Sequence, residues 1–200
     1  MESVEDKIKI SIKKRGRGKL IFAGDYCSSG SSEAVFKALQ RLQKSGLLMR
    51  VAHGIYYYPK KDMKYGSTPV PPTVEEIACG IAKRDKVRIV PTGIYALNAL
   101  GLSTQVPANV VFITDGAPRR IVVGKGKGIL FKHTSEARNL AYKSQLLMLI
   151  VAALREIGEG NATPQQLEII KSHLANVSQK ELNKDIPLMP LWVRKILLSQ

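Results

Sequence analysis

The sequence predicts an α+β protein on the strength of three patterns. Residues 31–58 combine an amphipathic helical repeat with two short strand-like runs. β-Branched runs separated by glycine-containing turns recur over residues 110–133, which is typical of a small antiparallel sheet. Helical repeats of apolar residues follow after residue 142. We therefore expect an N-terminal domain of helices and a hairpin, then a mixed α/β domain with a small antiparallel sheet and C-terminal helices.

The first predicted helix is amphipathic and has apolar residues at four-residue spacing: Val4, Ile8 and Ile12. A basic, glycine-rich link at 15–19 ends it. A short strand at 20–22 and a short second helix at 23–28 follow. The serine-rich segment 28–32 then offers a turn and an N-cap for the next helix.

The segment 31–45 predicts a strongly amphipathic helix. Its apolar residues share one face: Val35, Ala38, Leu39 and Leu42. Gly46 provides a stop, since glycine takes the left-handed cap conformation without a steric penalty. Strand-like runs at 47–51 and 55–58 then flank a turn-sized gap. A helix, a glycine stop and a two-stranded hairpin in this order predict a winged helix-turn-helix over residues 1–60.

A second domain is expected over residues 73–200, after a proline-rich linker at 61–72. Thr73 and Glu76 have the spacing of a capping box, which opens the first helix of this domain. The remaining predicted elements are a strand at 86–90, a helix at 91–102, strands at 110–114, 120–123 and 129–133, and helices at 142–157, 163–174 and 188–198.

The charge balance favours a polyanionic partner. The chain carries 31 Lys and Arg against 16 Asp and Glu, for a formal net charge of +15. Residues 1–60 hold 12 basic and 5 acidic groups, and residues 83–143 hold 11 and 3, so two basic regions are expected. Nucleic acid is the first partner this suggests, and an anionic membrane surface is the second. Because no run of about eighteen apolar residues and no signal core is visible, we expect a cytoplasmic protein without membrane segments.

The sequence offers no constellation for a metal, a cofactor or catalysis. Cys27 and Cys79 lack a paired spacing and the three histidines are scattered, so two reduced thiols and no metal site are expected. Asp115 lies in a Thr-Asp-Gly sequence without a nearby second carboxylate or nucleophile–base pair. We therefore expect no catalytic residues, no cofactor and a turn at Asp115.

The exposed face of the helix at 31–45 supplies candidate DNA contacts. Base-edge contacts are assigned to side chains that can donate or accept hydrogen bonds in the major groove: Ser32, Lys37, Gln40 and Arg41. Backbone contacts are assigned to the helix ends, the hairpin and the basic link: Ser31, Lys44, Arg50, His53, Arg15, Arg17 and Lys19. For each of these side chains a solvated surface position is the alternative interpretation.

A second group of basic residues decorates the predicted sheet and its edges: Arg119, Arg120, Lys125, Lys127 and Lys132. Such a surface suits a nucleic acid or an acidic protein partner. A sheet face that is merely solvated fits the pattern equally well.

Four segments carry a family resemblance, in this order: residues 31–42 (SSEAVFKALQRL), 52–59 (AHGIYYYP), 91–105 (PTGIYALNALGLSTQ) and 114–116 (TDG). On these segments the chain resembles the AbiEi-like antitoxins of bacterial type IV toxin–antitoxin systems, specifically a DUF6088-type branch. The resemblance extends roughly to residue 157.

The resemblance implies a function for each domain. In that family the N-terminal winged helix-turn-helix binds the operon promoter, which is double-stranded DNA, and represses it. The C-terminal domain contributes to countering a nucleotidyltransferase-like toxin without forming a stable complex. The family supplies no catalytic residues, so the expected function is that of a DNA-binding repressor and antitoxin.

Two other functions stay open from the residues alone. One is an enzyme acting on a nucleotide or nucleic acid, with Asp115 and neighbouring basic residues as its site. The other, weaker alternative is an RNA-binding module that uses the sheet.

Overall fold

Helices and strands are interspersed along the chain, and the predicted α+β class is confirmed. The computed structural model describes residues 2–62, 68–105, 107–124 and 127–198. The chain divides into two units, one made of Met1–Arg84 with Val122–Gly126 and the other of Asp85–Ile121 with Lys127–Gln200. None of the helices that the structure describes is long and apolar enough to cross a membrane.

The first unit contains three helices and five strands within its described residues. In chain order these elements are α1 (Val4–Arg15), β1 (Lys19–Phe22), a 3-10 segment (Ala23–Ser29), α2 (Ser32–Lys44), β2 (Met49–Ala52), β3 (Ile55–Tyr58), β4 (Lys60–Asp62), β5 (Thr68–Val70) and α3 (Val74–Asp85). The predicted helices and strands before residue 60 are therefore all present, with boundaries shifted by one or two residues.

Local sequence signals set the boundaries of α2 and its hairpin. The Ser31 side chain accepts a hydrogen bond from the backbone N–H of Ala34, as an N-cap does. Gly46 ends the helix with φ of 75°, and Gly54 turns the hairpin with φ of 68°. Both angles lie where a Cβ would be strained, so the predicted glycine stop and turn are confirmed.

The first unit contains a three-stranded antiparallel sheet with the strand order β1-β3-β2. The core beside this sheet combines residues of α1, α2 and the sheet: Ile8, Ile12, Ile21, Val35, Leu39, Leu42, Tyr56 and Tyr58. Tyr57 is also buried, at 2% exposure. The tyrosines of β3 are therefore core residues and offer no stacking surface for bases.

The predicted linker at 61–72 contains paired strands at its ends. β4 and β5 are antiparallel, with Lys60 opposite Val70 and Asp62 opposite Thr68. Residues 63–67 lie outside the described residues. Because the first unit extends through Arg84, α3 belongs with β1 and the unit ends well beyond the predicted domain end at residue 60.

The contact of α3 with β1 explains why the first unit extends so far. A Cβ built on Gly80 would lie 2.6 Å from the Cδ1 atom of Leu20, so the helix and the strand approach closely. The Arg84 guanidinium lies 4.6 Å from the ring centroid of Phe22. The capping box at the start of α3 is confirmed by reciprocal hydrogen bonds between Thr73 and Glu76.

The elements after residue 85 are four strands and five helices among the described residues, plus short 3-10 segments. They are β6 (Ile89–Pro91), α4 (Gly93–Ala99), β7 (Asn109–Thr114), β8 (Arg119–Val123), β9 (Lys127–His133), α5 (Gln145–Ile157), α6 (Pro164–Leu174), α7 (Gln179–Asp185) and α8 (Leu191–Leu198). The sequence patterns do not predict α7, because Leu182 is its one apolar residue and a single residue forms no helical repeat.

The four-stranded sheet is mixed, which corrects the predicted antiparallel arrangement. Its order is β6-β7-β9-β8, with β6 antiparallel and β9 parallel to β7. β9 contributes Ile129 and Phe131 to the core, whereas β8 leaves Arg119, Arg120 and Val122 exposed. β9, which has more buried residues, takes the inner position, and β8, in which no residue is buried, takes the edge.

The helices of the second unit share one apolar core. It is built mainly from α5, with residues from α4, α6 and α8: Ala96, Leu100, Leu147, Ile150, Val151, Leu154, Ile170, Val193 and Leu197. Asp185 is fully buried at the start of α5, and its carboxylate accepts hydrogen bonds from the backbone N–H groups of Lys143 and Ser144.

Candidate nucleic-acid interface

The solvent-facing side of α2 carries two rows of side chains at four-residue spacing. Residues four apart in a helix lie one above the other on the same face. The first row, called here the outer ridge, consists of Ser32, Phe36, Gln40 and Lys44. The second row, called here the paired ridge, consists of Glu33, Lys37 and Arg41. All seven residues are exposed, so both rows are accessible to a ligand.

The paired ridge is held by ion pairs. Lys37 Nζ lies 2.6 Å from a Glu33 carboxylate oxygen one turn earlier. Arg41 Nε binds the carboxylate of Glu5 on α1. Exposed pairs of this kind contribute about 0.2–1 kcal/mol and weaken with salt. A phosphate group can therefore compete for Lys37 and Arg41 at small cost.

The polar side chains of the outer ridge have no such partners in the part of the chain that the structure describes. Among the residues that the structure describes, no ion pair or hydrogen bond joins the side chains of Ser32, Gln40 or Lys44 to another group. A hydroxyl, an amide and an ammonium are thus presented along one line, with donor and acceptor capacity unspent. Of the predicted base-edge residues, Ser32 and Gln40 lie on this ridge, whereas Lys37 and Arg41 do not.

The hairpin turn lies beside the N-terminal half of α2. The ring centroids of Phe36 and His53 are 6.0 Å apart, with an interplanar angle of 36°. Both side chains are exposed. The structure thus brings His53 next to the outer ridge, and Arg50 of β2 is exposed on the same hairpin.

Phe36 is a surface residue that the sequence reasoning did not assign to the interface. Its exposed fraction is 38%, whereas the four apolar residues of α2 that face the core are nearly inaccessible. The signal that identifies it is the four-residue repeat with Ser32 and Gln40, which places an aromatic ring in an otherwise polar row.

The predicted backbone contacts at 15–19 lie at the other end of the sheet. Lys19 pairs with Tyr58, whereas the hairpin turn follows the end at which Phe22 pairs with Ile55. Four strand residues separate these ends by roughly 10 Å at about 3.3 Å per residue. The structure therefore does not bring the basic link together with His53.

The two arginines of this link make contacts within the unit. Arg17 donates a hydrogen bond to the carbonyl oxygen of Pro59 at 2.9 Å, and its guanidinium lies 4.5 Å from the ring centroid of Tyr58. Arg15 pairs with Asp25 at 3.0 Å. Lys19 is exposed at the mouth of a groove. Arg15 and Arg17 therefore stabilise the fold of this unit through contacts that require no ligand.

The groove beside Lys19 has a volume of about 580 Å³ and lies between β1 and α3. Asp25 binds both Arg15 and Arg84 at its rim, at 3.0 and 3.6 Å. Cys79 also lines the groove, and burial, followed by the Glu75 carboxylate, raises the pKa of its thiol. The thiol is therefore protonated near neutral pH and is a poor nucleophile. Cys27 and Cys79 are both free cysteines.

Glu76 anchors the start of α3 beside the same groove. Its carboxylate accepts hydrogen bonds from Lys60 Nζ at 2.8 Å and from the backbone N–H of Thr73 at 2.9 Å. These two bonds, Lys60 first, lower the pKa of Glu76. The carboxylate therefore stays ionised near neutral pH and joins β4 to α3.

The second basic region is only partly available. Arg119 pairs with Asp85, and its guanidinium lies 5.4 Å from the ring centroid of Phe131. Arg120 is exposed on β8, and Lys132 is exposed on β9. Lys127 begins β9, and Lys125 lies outside the described residues. Arg119, Arg120 and Lys132 are thus exposed, but Arg119 is held in an ion pair and Arg120 and Lys132 have no carboxylate partner among the described residues.

Asp115 joins two segments of the second unit. Its carboxylate accepts hydrogen bonds from the backbone N–H of Arg88 at 2.8 Å and from Arg88 Nε at 2.9 Å. These bonds, the side-chain bond first, hold the pKa of Asp115 below its ordinary value. An ionised, doubly bonded carboxylate suits a structural link better than proton transfer near neutral pH. Within the described ranges, no group of three or more His, Cys, Asp or Glu side chains could hold a metal ion.

Most of the chain matches a known protein family. A family model described as "Family of unknown function (DUF6088)" matches residues 7–186. No curated protein matches the chain. Because the family model covers most of the 200 residues, the chain belongs to the family of unknown function DUF6088.

Proposed function

We propose that the elements from α1 to β3 form a winged helix-turn-helix that binds double-stranded DNA. The observation that best supports this proposal is the outer ridge of α2. Its polar side chains have no hydrogen-bond or ion-pair partner among the described residues, and it lies beside an exposed hairpin turn. The chain order of helix, strand, short 3-10 segment, helix and hairpin, with the sheet order β1-β3-β2, supports this assignment. In this proposal α2 enters the major groove and the hairpin is the wing.

The side chains then take distinct roles. Gln40 pairs with the Hoogsteen edge of adenine, and Ser32 contacts a base or a phosphate near the start of the helix. Lys44 and Arg50 neutralise phosphates on either side. Lys37 and Arg41 exchange their carboxylate partners for phosphates, since an exposed ion pair holds them by no more than about 1 kcal/mol.

We further propose that the protein represses its own operon and acts as a type IV antitoxin in the bacterial cytoplasm. The resemblance to AbiEi-like antitoxins supports this function, and the net charge of +15 is compatible with a nucleic-acid partner. The second unit would counter a nucleotidyltransferase-like toxin without a stable complex. From the second basic region, we assign the exposed cations Arg120 and Lys132 to this task.

Binding to a fragment of the operon promoter tests the DNA-binding role. We expect Gln40→Ala to reduce the preference for the promoter over unrelated duplex, because a bidentate base contact discriminates by about 1–3 kcal/mol. Lys44→Ala should weaken binding to both duplexes alike and reduce the slope of log affinity against log salt by about 1. Fluorescence anisotropy at several salt concentrations measures both effects.

Lys180→Ala is the matched control, since Lys180 is an exposed lysine of α7 in the other unit. It should change neither the preference nor the salt slope. Promoter affinity that is the same for wild type, Gln40→Ala and Lys44→Ala would show that α2 is not the reading helix.

Co-expression with the toxin tests the antitoxin role separately. We expect the full chain to restore growth to cells that express a nucleotidyltransferase-like toxin from the same operon, and Gln40→Ala to restore it equally when transcription is driven from a foreign promoter. Affinity purification should recover no stable complex with the toxin. Growth arrest that persists with the wild-type chain would remove the antitoxin role and leave DNA binding intact.

A further inference from the structure

We propose that Phe36 reads the 5-methyl group of thymine in the major groove. This inference rests on the proposed DNA-binding function and assigns a base preference to it. The methyl group is the one apolar feature that a base pair presents in the major groove, and apolar side chains recognise it by contact.

Phe36 is an exposed member of the outer ridge. The ring lies on the outer ridge between Ser32 and Gln40, one turn from each. With 38% of its surface exposed, it is the large apolar side chain that α2 turns to solvent. The buried face of α2 consists of other residues, Val35, Ala38, Leu39 and Leu42. An aromatic ring in this row therefore faces whatever α2 contacts.

His53 contacts Phe36 and restricts the positions that the phenyl ring can take. The two ring centroids are 6.0 Å apart at an interplanar angle of 36°, within the range for interacting aromatic pairs. His53 belongs to the tight turn that Gly54 closes, so it approaches α2 from the hairpin side. We assign His53 as a positioning residue that holds Phe36 toward the outer ridge.

Helix geometry fixes where the thymine should lie. Phe36 and Gln40 are separated by about 6 Å along the helix axis at 1.5 Å per residue. Successive base pairs rise by about 3.4 Å. The methyl group that Phe36 contacts should therefore lie within about two base pairs of the adenine that Gln40 recognises. Each binding site should therefore contain two A·T base pairs at this separation.

The alternative is a structural role, in which Phe36 packs on the hairpin turn and contacts no base. A structural role would make all duplexes bind more weakly when the ring is lost, regardless of their methyl groups. A methyl-reading role makes the effect of the mutation depend on one or two thymines. Removal of a single methyl from the DNA separates the two cases, since it leaves every hydrogen-bonding group of the base pair in place.

The experiment uses the full chain and a duplex selected in vitro by the wild-type protein. Each thymine of that duplex is replaced in turn by deoxyuridine, and the dissociation constants are measured for wild type, Phe36→Ala, Phe36→Leu and Lys180→Ala. For wild type and Lys180→Ala we expect one or two replacements to weaken binding about fourfold, which corresponds to about 0.8 kcal/mol for a buried methyl-sized group. Phe36→Ala should be insensitive at those positions, and Phe36→Leu should keep part of the effect.

His53→Ala tests the positioning role in the same assay. Its thymine-to-deoxyuridine ratio should fall toward 1, whereas its salt slope should stay that of wild type, because no phosphate contact is lost. An unchanged ratio would remove His53 from the proposal.

Two outcomes overturn the inference in distinguishable ways. If deoxyuridine weakens wild type and Phe36→Ala equally at every position, or weakens neither, Phe36 does not read a methyl group and the proposed DNA-binding function stands. If the wild-type chain selects no duplex at all, the proposed function fails and the inference fails with it. Phe36→Leu keeps the test valid should Phe36→Ala prove unstable.

Discussion

Asp185 is a buried carboxylate at the end of α7 that satisfies the start of α5, 41 residues earlier in the chain. Its two oxygens accept the backbone N–H groups of Lys143 and Ser144 at 2.9–3.1 Å. Both N–H groups immediately precede the first turn of α5, where a carboxylate also interacts favourably with the helix dipole. One side chain thus joins the end of α7 to the start of the central helix of its unit.

Replacing Asp185 with Ala leaves two N–H groups at a buried helix start without an acceptor. We expect the free energy of unfolding to fall by about 2 kcal/mol or more, because unsatisfied buried groups cost about 1–3 kcal/mol. Asp185→Asn keeps one acceptor and should lose about half as much. Urea-induced unfolding measures both changes. Glu168→Ala, an exposed change on α6, is the control, and an Asp185→Ala protein that unfolds at the same urea concentration as this control would contradict the assignment.

The contrast between Asp185 and Glu76 shows which residue roles a sequence can reveal. Glu76 lies three residues after Thr73, so the capping box is a local pattern and is predicted correctly. The partners of Asp185 are distant in sequence and are known only once α5 and α7 are packed. Phe36 is an intermediate case: its repeat with Gln40 is visible, but its contact with His53 depends on the tertiary fold.

At the scale of elements, α4 and α5 approach so closely that the first residue of α4 must be glycine. A Cβ built on Gly93 would lie 2.2 Å from the Cβ of Glu156, which is far inside van der Waals contact. The neighbouring core residues Ala96 and Ala153 are small and fully buried. Small side chains on both helices therefore set the distance between them.

Gly93→Ala should push α4 away from α5. We expect the second unit to lose about 1–3 kcal/mol, the usual cost of overpacking a well-packed contact. Ile94→Ala removes an exposed side chain from the same helix and should change stability by about 0.5 kcal/mol or less. The melting temperatures of both variants and of wild type, measured by thermal unfolding, test this prediction. Equal melting temperatures for the two variants would mean that the close approach is not maintained in solution.

Strand order is the element-scale feature that the sequence predicts least well. The three runs at 110–114, 120–123 and 129–133 are correctly predicted as strands, because their β-branched and aromatic content is a local property. Their order is a property of burial across the sheet. None of the residues of β8 is buried, and β8 lies at the edge of the sheet. β9 therefore takes the position beside β7, and that pair is parallel.

At the scale of the whole molecule, the two basic regions belong largely to different units. The first lies mainly on α1, α2 and the link between α1 and β1, and the second includes the strands β8 and β9. Net charge alone therefore predicts a polyanionic partner but cannot say which unit binds it. The outer ridge of α2 favours the first unit, since it presents Ser32, Gln40 and Lys44 in one exposed row beside the hairpin turn.

The extent of the first unit predicts which fragment of the chain should fold most stably. α3 packs on β1 through Gly80 and Leu20, and Arg84 covers Phe22, so a fragment of residues 1–72 exposes apolar surface that a fragment of residues 1–85 buries. We expect the longer fragment to melt about 8 °C higher or more, since 1 kcal/mol corresponds to 4–8 °C in domains of this size. Both fragments keep β4 and β5 and lack Val122–Gly126, so the comparison isolates α3. Ile81→Asn, which disrupts the buried face of α3, should bring the longer fragment down to the melting temperature of the shorter one. If the shorter fragment melted as high as the longer, α3 would not be an integral part of the first unit, and the proline-rich segment would be the boundary of that unit.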